Sequence, residues 1–127
     1  VVVGPRVSYR ESLERQSGAD VLLLLQRNHP SDEGNLPGKF FEYLGARRPI
    51  LLLGCETGLV AQMIRDREAG FISNVPDQIA AQLGRWLDQV PTGIPSLPPE
   101  ACHCLSRTDQ FIALEAFLHD LAGRADA

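Results

Sequence analysis

Pro37-Gly38-Lys39-Phe40-Phe41-Glu42-Tyr43-Leu44-Gly45-Ala46-Arg47-Arg48-Pro49 is the stretch that decides the fold. Pro37 and Gly38 close a polar loop. Phe40, Phe41 and Leu44 fall at helical spacing. Arg47 and Arg48 suit the negative end of a helix. Pro49 ends it and releases Ile50-Leu51-Leu52-Leu53 as a strand. The spacing therefore predicts a helix over about 38–47 that feeds a strand over 50–53. Gly38, Glu42, Gly45 and Ala46 share one face, at i, i+4, i+7 and i+8. Glu42 is a carboxylate flanked by residues with almost no side chain, so a ligand can approach it.

Working outward, the same alternation continues on both sides. Val1-Val2-Val3 reads as a short buried-type strand ended by Gly4-Pro5. Ser8-x-x-Glu11 is a capping box, predicting a helix from Tyr9 to near Gly18 with Leu13 as its main core residue. The apolar run 21–25 has the pattern of a strand covered on both faces. Downstream, Thr57 is placed to cap a helix running to about Glu68, with Leu59, Val60, Met63 and Ile64 inside. Gly70 is expected to cap its end, and Phe71-Ile72 to form a short strand. Pro76 fits the first turn of a further helix. Ile79, Leu83, Trp86, Leu87 and Val90 give that helix an amphipathic stripe. A proline-rich connection spans 91–107. Ser106-x-x-Asp109 then opens a last helix over 108–127, with Phe111, Leu114, Leu118 and Leu121 as its stripe. The stripes are expected to be core.

Strands alternating with helices imply an α/β domain, a partial Rossmann-like three-layer αβα fold with a mostly parallel sheet. Residues 1–90 form the truncated domain, 91–107 the connection and 108–127 the terminal helix. Ligands in such sheets sit at the carboxyl ends of the strands. Loops 4–8, 26–38 and 54–57 meet that rule.

The 127 residues suffice for one domain with a core, and the net charge of −4 gives no general attraction to nucleic acid or anionic membrane. The longest apolar run is too short to span a bilayer. The first residues lack the basic lead of a signal peptide. The chain starts without Met inside a strand-like run, which suggests a piece of a longer protein. Its three cysteines are odd in number, and Cys102 and Cys104 sit too close for a disulfide framework. Reduced thiols in a cytosolic protein are expected.

Helix amino termini hold anions through free N–H groups and the dipole. Gly38 allows close backbone approach there, and Lys39, the only lysine, adds a point charge suited to a diphosphate. Glu42, one turn along, has the chemistry to accept hydrogen bonds from both hydroxyls of a ribose, as an acidic residue does in dinucleotide folds. The plain alternative is an αβ connection with a solvated glutamate. Cys102-His103-Cys104 lacks the second Cys/His pair a tetrahedral metal site needs, so no metal is expected. Cys55, His103 and Ser31 lack partners that would make a nucleophile and base. Glu56 reads as a solvated loop residue. Gly54-x-x-x-Gly58 lacks the Gly-Lys-Ser/Thr ending of a phosphate loop.

Gly4-Pro5-Arg6-Val7, Glu11-Ser12-Leu13, Ala19-Asp20-Val21-Leu22-Leu23, Pro30-Ser31 and the block from Pro37 to Ile50 together resemble a family. It is the carboxyl-terminal donor domain of group 1 (GT-B fold) glycosyltransferases, and Glu68-Ala69-Gly70-Phe71 continues the likeness over about 1–90. The resemblance implies that Glu42 binds the donor ribose and that amides around Leu36, Pro37, Gly38 and Lys39 cradle the diphosphate. It places Arg6 and Val7 at the nucleobase. The family often carries a second glutamate eight residues before the ribose glutamate, contacting the donor sugar. Here that position is Gly34, with Glu33 one residue out of step.

The resemblance further implies a UDP- or GDP-linked sugar as substrate, retention at the anomeric carbon, no cofactor or obligatory metal, and a cytoplasmic site. Partners would be an acceptor-binding first domain missing from this chain and, for the parent, a membrane surface holding a lipid-linked or polysaccharide precursor. With the opening strands of the domain also missing, 21–25 would present an unpaired edge. Its repair is expected either from Val1 to Val3 moving in beside it or from dimerisation or domain swapping of two chains. The last helix is expected to pack loosely. Two other readings stand beside this one: a non-catalytic nucleotide- or phosphate-binding α/β module, and a flavodoxin-like interaction domain without nucleotide affinity.

Overall fold

Pro49 hands the chain to the central strand of the sheet. In the computed structural model, which describes residues 2–125, three strands form an open sheet: β1 (Leu22–Leu25), β2 (Ile50–Leu53) and β3 (Gly70–Ile72). They lie in the order β1-β2-β3, all parallel, with Leu22 opposite Ile50 and Ile50 opposite Gly70. Five helices connect and flank them: α1 (Tyr9–Ser17), α2 (Gly38–Ala46), α3 (Leu59–Asp66), α4 (Pro76–Gln89) and α5 (Arg107–Ala125). The α/β class and the partial Rossmann-like layering are as the sequence predicts. No helix among the described residues is long and apolar enough to cross a membrane.

Central β2 is buried on both faces. Ile50 and Leu52 join Leu22 and Leu24 of β1 in a cluster with Phe40, Tyr43 and Leu44 of α2 and Val60, Ala61 and Ile64 of α3. Leu51 faces the other way, onto Trp86 of α4 and Ile94. A parallel sheet needs cover on both sides, and α2 and α3 supply one layer, α4 the other.

The third strand docks through a glycine. Gly70 is not the cap of α3; α3 ends at Asp66 with Arg67 as its cap, and Glu68 makes the left-handed turn with φ 50°. Gly70 instead lies in β3, where a Cβ would overlap the carbonyl oxygen of Ile50. Thr57 does not cap α3 either. Gly58 holds that position, and the Thr57 hydroxyl donates to Glu33 Oε1 at 3.2 Å. The two Ser caps are formed: Ser8 Oγ accepts from the Glu11 amide at 3.2 Å and Ser106 Oγ from the Asp109 amide at 3.0 Å.

Several apolar stretches are less covered than their patterns suggest. Val2 and Val3 form no strand and are 98% and 90% exposed; Val1 lies outside the described residues. Nothing pairs them with β1, so that route to repairing the edge is not taken. In β1, Leu22 and Leu24 are buried but Leu23 and Leu25 are 49% and 67% exposed, because α4 packs over β2 and β3 and leaves the β1 face open. On α1, Leu13 is only half-buried and the enclosed side chain is Gln16. On α4, Trp86 is buried and Ile79 packs beside it, while Leu83, Leu87 and, at the cap just past the helix, Val90 are exposed. Phe111, Leu114, Leu118 and Leu121 of α5 are likewise exposed rather than core. Periodicity reports that a helix has an apolar side; it does not supply the surface that would cover it. Positions 126 and 127 of the expected last helix lie outside the described residues.

Residues 91–107 are an ordered strap. Ile94, Leu97 and Ala101 are buried, and Arg47 fastens the strap to the end of α2. Arg47 is the cap of α2, in the left-handed region with φ 55°. Its Nε donates to the Leu97 carbonyl at 2.7 Å, and its own carbonyl accepts from the Leu97 amide at 2.9 Å. Those bonds offset the steric cost of a left-handed non-glycine residue.

At the free edge of the sheet, Leu22 N donates to Pro49 O and Gln26 N to Leu53 O, so the backbone of Leu23 faces outward. The Tyr43 hydroxyl reaches it and donates to the Leu23 carbonyl at 3.2 Å. Burial, and then the charge of Glu42, hold this hydroxyl above the ordinary tyrosine pKa, so it remains a donor.

Two stability measurements follow. Gly70→Ala should lower the urea-unfolding free energy by about 3 kcal/mol, the upper end for overpacking, because the added methyl meets backbone; a loss below about 0.5 kcal/mol would contradict the close approach. Tyr43→Phe should cost about 1 kcal/mol. Since the folded-state pKa of Tyr43 is raised, its contribution is complete below the unfolded value and is lost as pH rises through the folded one. The difference between the two proteins should therefore hold steady up to about pH 9 and shrink above about pH 10. A difference that grows in alkali would contradict it.

Candidate functional site

A helix between two parallel strands runs back against their direction, so its amino terminus returns to their carboxyl ends. That places Gly38 where β1 and β2 end. Pro37 at the cap offers no side-chain bond to the first turn. Its carbonyl takes the Phe40 amide at 3.0 Å, while the Gly38 and Lys39 amides have no acceptor among the described residues. The exposed Lys39 ammonium makes no ion pair among them. Two free N–H groups and the positive end of the dipole therefore meet at the start of α2, and Lys39 lies in its first turn.

The loop that delivers this start is braced along its length. Arg27 grips Asp32 with two bonds, Nε to Oδ2 at 2.8 Å and Nη2 to Oδ1 at 3.2 Å. That bonding from Arg27 holds the Asp32 carboxyl below its usual pKa, and Arg27 is raised in turn. Gln26 Nε2 donates to the Asn35 carbonyl at 3.2 Å. Glu33 is bound at both ends: its carbonyl accepts from the Leu59 amide at 2.7 Å and its carboxylate from Thr57. Gly54 fits because a Cβ there would strike the Gln26 carbonyl. Glu56 is a brace and not a solvated residue, since Oε1 accepts from both the amide and Nδ2 of Asn74, at 2.7 and 2.9 Å.

Glu42 stands one turn into α2, half-buried. Its Oε2 accepts from Gln16 Nε2 of α1 at 3.1 Å. Beside it runs a groove of about 1250 Å³ between α1, α2 and α5. Leu36, Gly38, Glu42, Gly45 and Ala46 form its α2 side, Tyr9 and Leu13 its α1 side, and Phe111 and Leu114 the wall from α5. A Cβ built at Gly38 or Gly45 would meet nothing within 4 Å, so the bare face read from the sequence does open onto space.

Of the residues singled out by sequence, Leu36, Gly38 and Glu42 share this groove, with Pro37 and Lys39 beside them at the head of α2. Arg6 and Val7 lie on the run into α1, Arg6 exposed and Val7 half-buried, outside the groove lining. Glu33 turns to Thr57, and Gly34 borders open space.

Sequence reasoning missed Gln16; its signal was its place three residues after Leu13, on the side of α1 that meets α2. It also gave His103 no partner, yet the Cys104 thiol lies 3.0 Å from its Nδ1 on an exposed turn. Ser31 Oγ likewise sits 2.9 Å from His29 Nδ1, where the imidazole caps the turn Pro30–Asp32. Both pairs are exposed neighbours in sequence and stand apart from the groove. Compared with known proteins, the chain matches no protein-family model, no curated protein and no solved structure.

Proposed function

We propose that this chain is the donor-binding part of a glycosyltransferase that moves a sugar from a nucleoside-diphosphate sugar to an acceptor. One observation carries the reading: a carboxylate on the bare face of α2, one turn beyond two unpaired amides and a lysine, at the carboxyl ends of parallel strands. Those groups match the two ends of a nucleoside diphosphate. The Gly38 and Lys39 amides with the Lys39 ammonium would hold the diphosphate, and Glu42 would accept from the ribose hydroxyls.

Sugar transfer leaves negative charge on the departing diphosphate. Groups already aimed at that charge lower the barrier because they need not reorganise as it develops. In this role the start of α2 stabilises the leaving group and Glu42 fixes where it sits. Arg6 and Val7 would flank the base, with backbone more than side chain, and Glu33 or Gly34 would lie towards the sugar. A retaining reaction without an obligatory metal, a cytoplasmic site, and an acceptor held by a separate domain all follow the family resemblance. The chain alone is expected to bind nucleotide without transferring sugar.

Calorimetric titration with UDP, GDP and ADP tests the reading. At least one should bind, and Glu42→Ala should weaken it by about tenfold to a hundredfold, the range for losing charged hydrogen bonds. Lys39→Ala should weaken it less and flatten its salt dependence. Absence of binding by all three, or affinity unchanged by Glu42→Ala, would remove the assignment. Mass spectrometry of products from a longer parent would separate a transferase from a non-catalytic nucleotide-binding module.

A further inference from the structure

Gln16 is an unexpected side chain to enclose. It sits between α1 and α2 at 8% exposure, where an apolar residue of similar volume would fill the space without desolvating an amide. Both of its amide hydrogens are used: Nε2 donates to Ser12 Oγ at 3.3 Å and to Glu42 Oε2 at 3.1 Å. Its Oε1 is shut away from solvent with no partner among the described residues. Turning the amide over would set Oε1 against the Glu42 carboxylate, acceptor against acceptor. The observed orientation therefore serves Glu42 and strands the carbonyl oxygen, an arrangement that stability alone disfavours.

A glutamate has three side-chain torsions, and a ligand that needs its carboxylate in one place must overcome their freedom. The bond from Gln16 removes much of that freedom before any ligand arrives. It uses one lone pair of Oε2 and leaves the rest of the carboxylate for the groove, enough for two adjacent hydroxyl donors.

We propose that Gln16 is a positioning residue for Glu42, holding its carboxylate to receive the vicinal 2′- and 3′-hydroxyls of a nucleotide ribose. This rests on the reading of Glu42 as the ribose acceptor. Gln16 does not touch the nucleotide; it acts through Glu42. The site is therefore selective for an intact cis-diol, and that selectivity depends on Gln16.

The test is a set of titrations with UDP and 2′,3′-dideoxy-UDP, and with the corresponding guanosine pair, on wild type, Gln16→Leu, Glu42→Ala and the double variant. Gln16→Leu should weaken the ribonucleotide by about fivefold to tenfold, or about 1–1.4 kcal/mol. It should leave the dideoxy analogue unchanged, keep or raise Tm, and add nothing when Glu42 is already alanine. If Glu42→Ala weakens the ribonucleotide and Gln16→Leu does not, the positioning role is overturned while the ribose reading stands. If Gln16→Leu weakens both nucleotides equally, Gln16 is merely structural and the proposal fails. If Glu42→Ala changes nothing, the ribose reading fails and the positioning role with it. Should leucine disturb the α1–α2 packing, seen as a lowered Tm, Gln16→Met offers a straighter replacement with the same expected outcomes.

Discussion

Burial of β2 on both faces is the constraint from which the rest of the structure follows. Ile50, Leu51 and Leu52 are all enclosed, and they face opposite helical layers. Four residues of strand can be covered this way only if the chain leaves and re-enters on each side, which is what α2 and α3 do on one face and α4 on the other. Each fully buried leucine or isoleucine contributes on the order of 1.5–3 kcal/mol. The neighbours of β2 are held less firmly. β1 keeps one leucine face open, and β3 docks only because Gly70 lets its backbone close on Ile50.

From that strand the position of the candidate site is nearly forced. Pro49 ends the link before β2, and Arg47, fastened to Leu97, fixes where α2 stops. A helix fixed at its carboxyl end and packed through Phe40, Tyr43 and Leu44 presents its amino terminus at the carboxyl edge of the sheet. The face that turns away from the core carries Gly38, Glu42 and Gly45. Packing and chemistry thus share one nine-residue helix: its apolar side anchors it to β2, and its bare side leaves a carboxylate reachable. Tyr43 joins the two roles, since it packs in the core, caps the sheet edge at Leu23 and feels the charge of Glu42.

The sequence made the alternation of elements legible because turn residues mark it sharply: Pro49 before β2, Pro76 at the start of α4, the Ser8 and Ser106 caps. The bare face of α2 was also legible, since it depends only on spacing within one helix. What residue spacing alone could not show was anything that depends on a second surface. Leu23 and Leu25, and the α5 stripe from Phe111 to Leu121, carry the pattern of burial yet are exposed. Val2 and Val3 have strand character and pair with no strand among the described residues. Gly70 looked like a cap because a glycine after a helix usually is one; its close contact with Ile50 belongs to tertiary structure. Gln16 was hidden for the same reason, lying in a helix of polar composition whose one enclosed position is defined by α2.

The most direct measurement is a backbone amide NMR titration of the chain with UDP and GDP. If the start of α2 is a diphosphate cradle and Glu42 a ribose acceptor, the largest saturable shifts should fall on the amides of Gly38, Lys39 and Glu42, with Gln16 moving alongside. Shifts confined to other loops, such as 73–75, or no saturable shifts at all, would contradict the account.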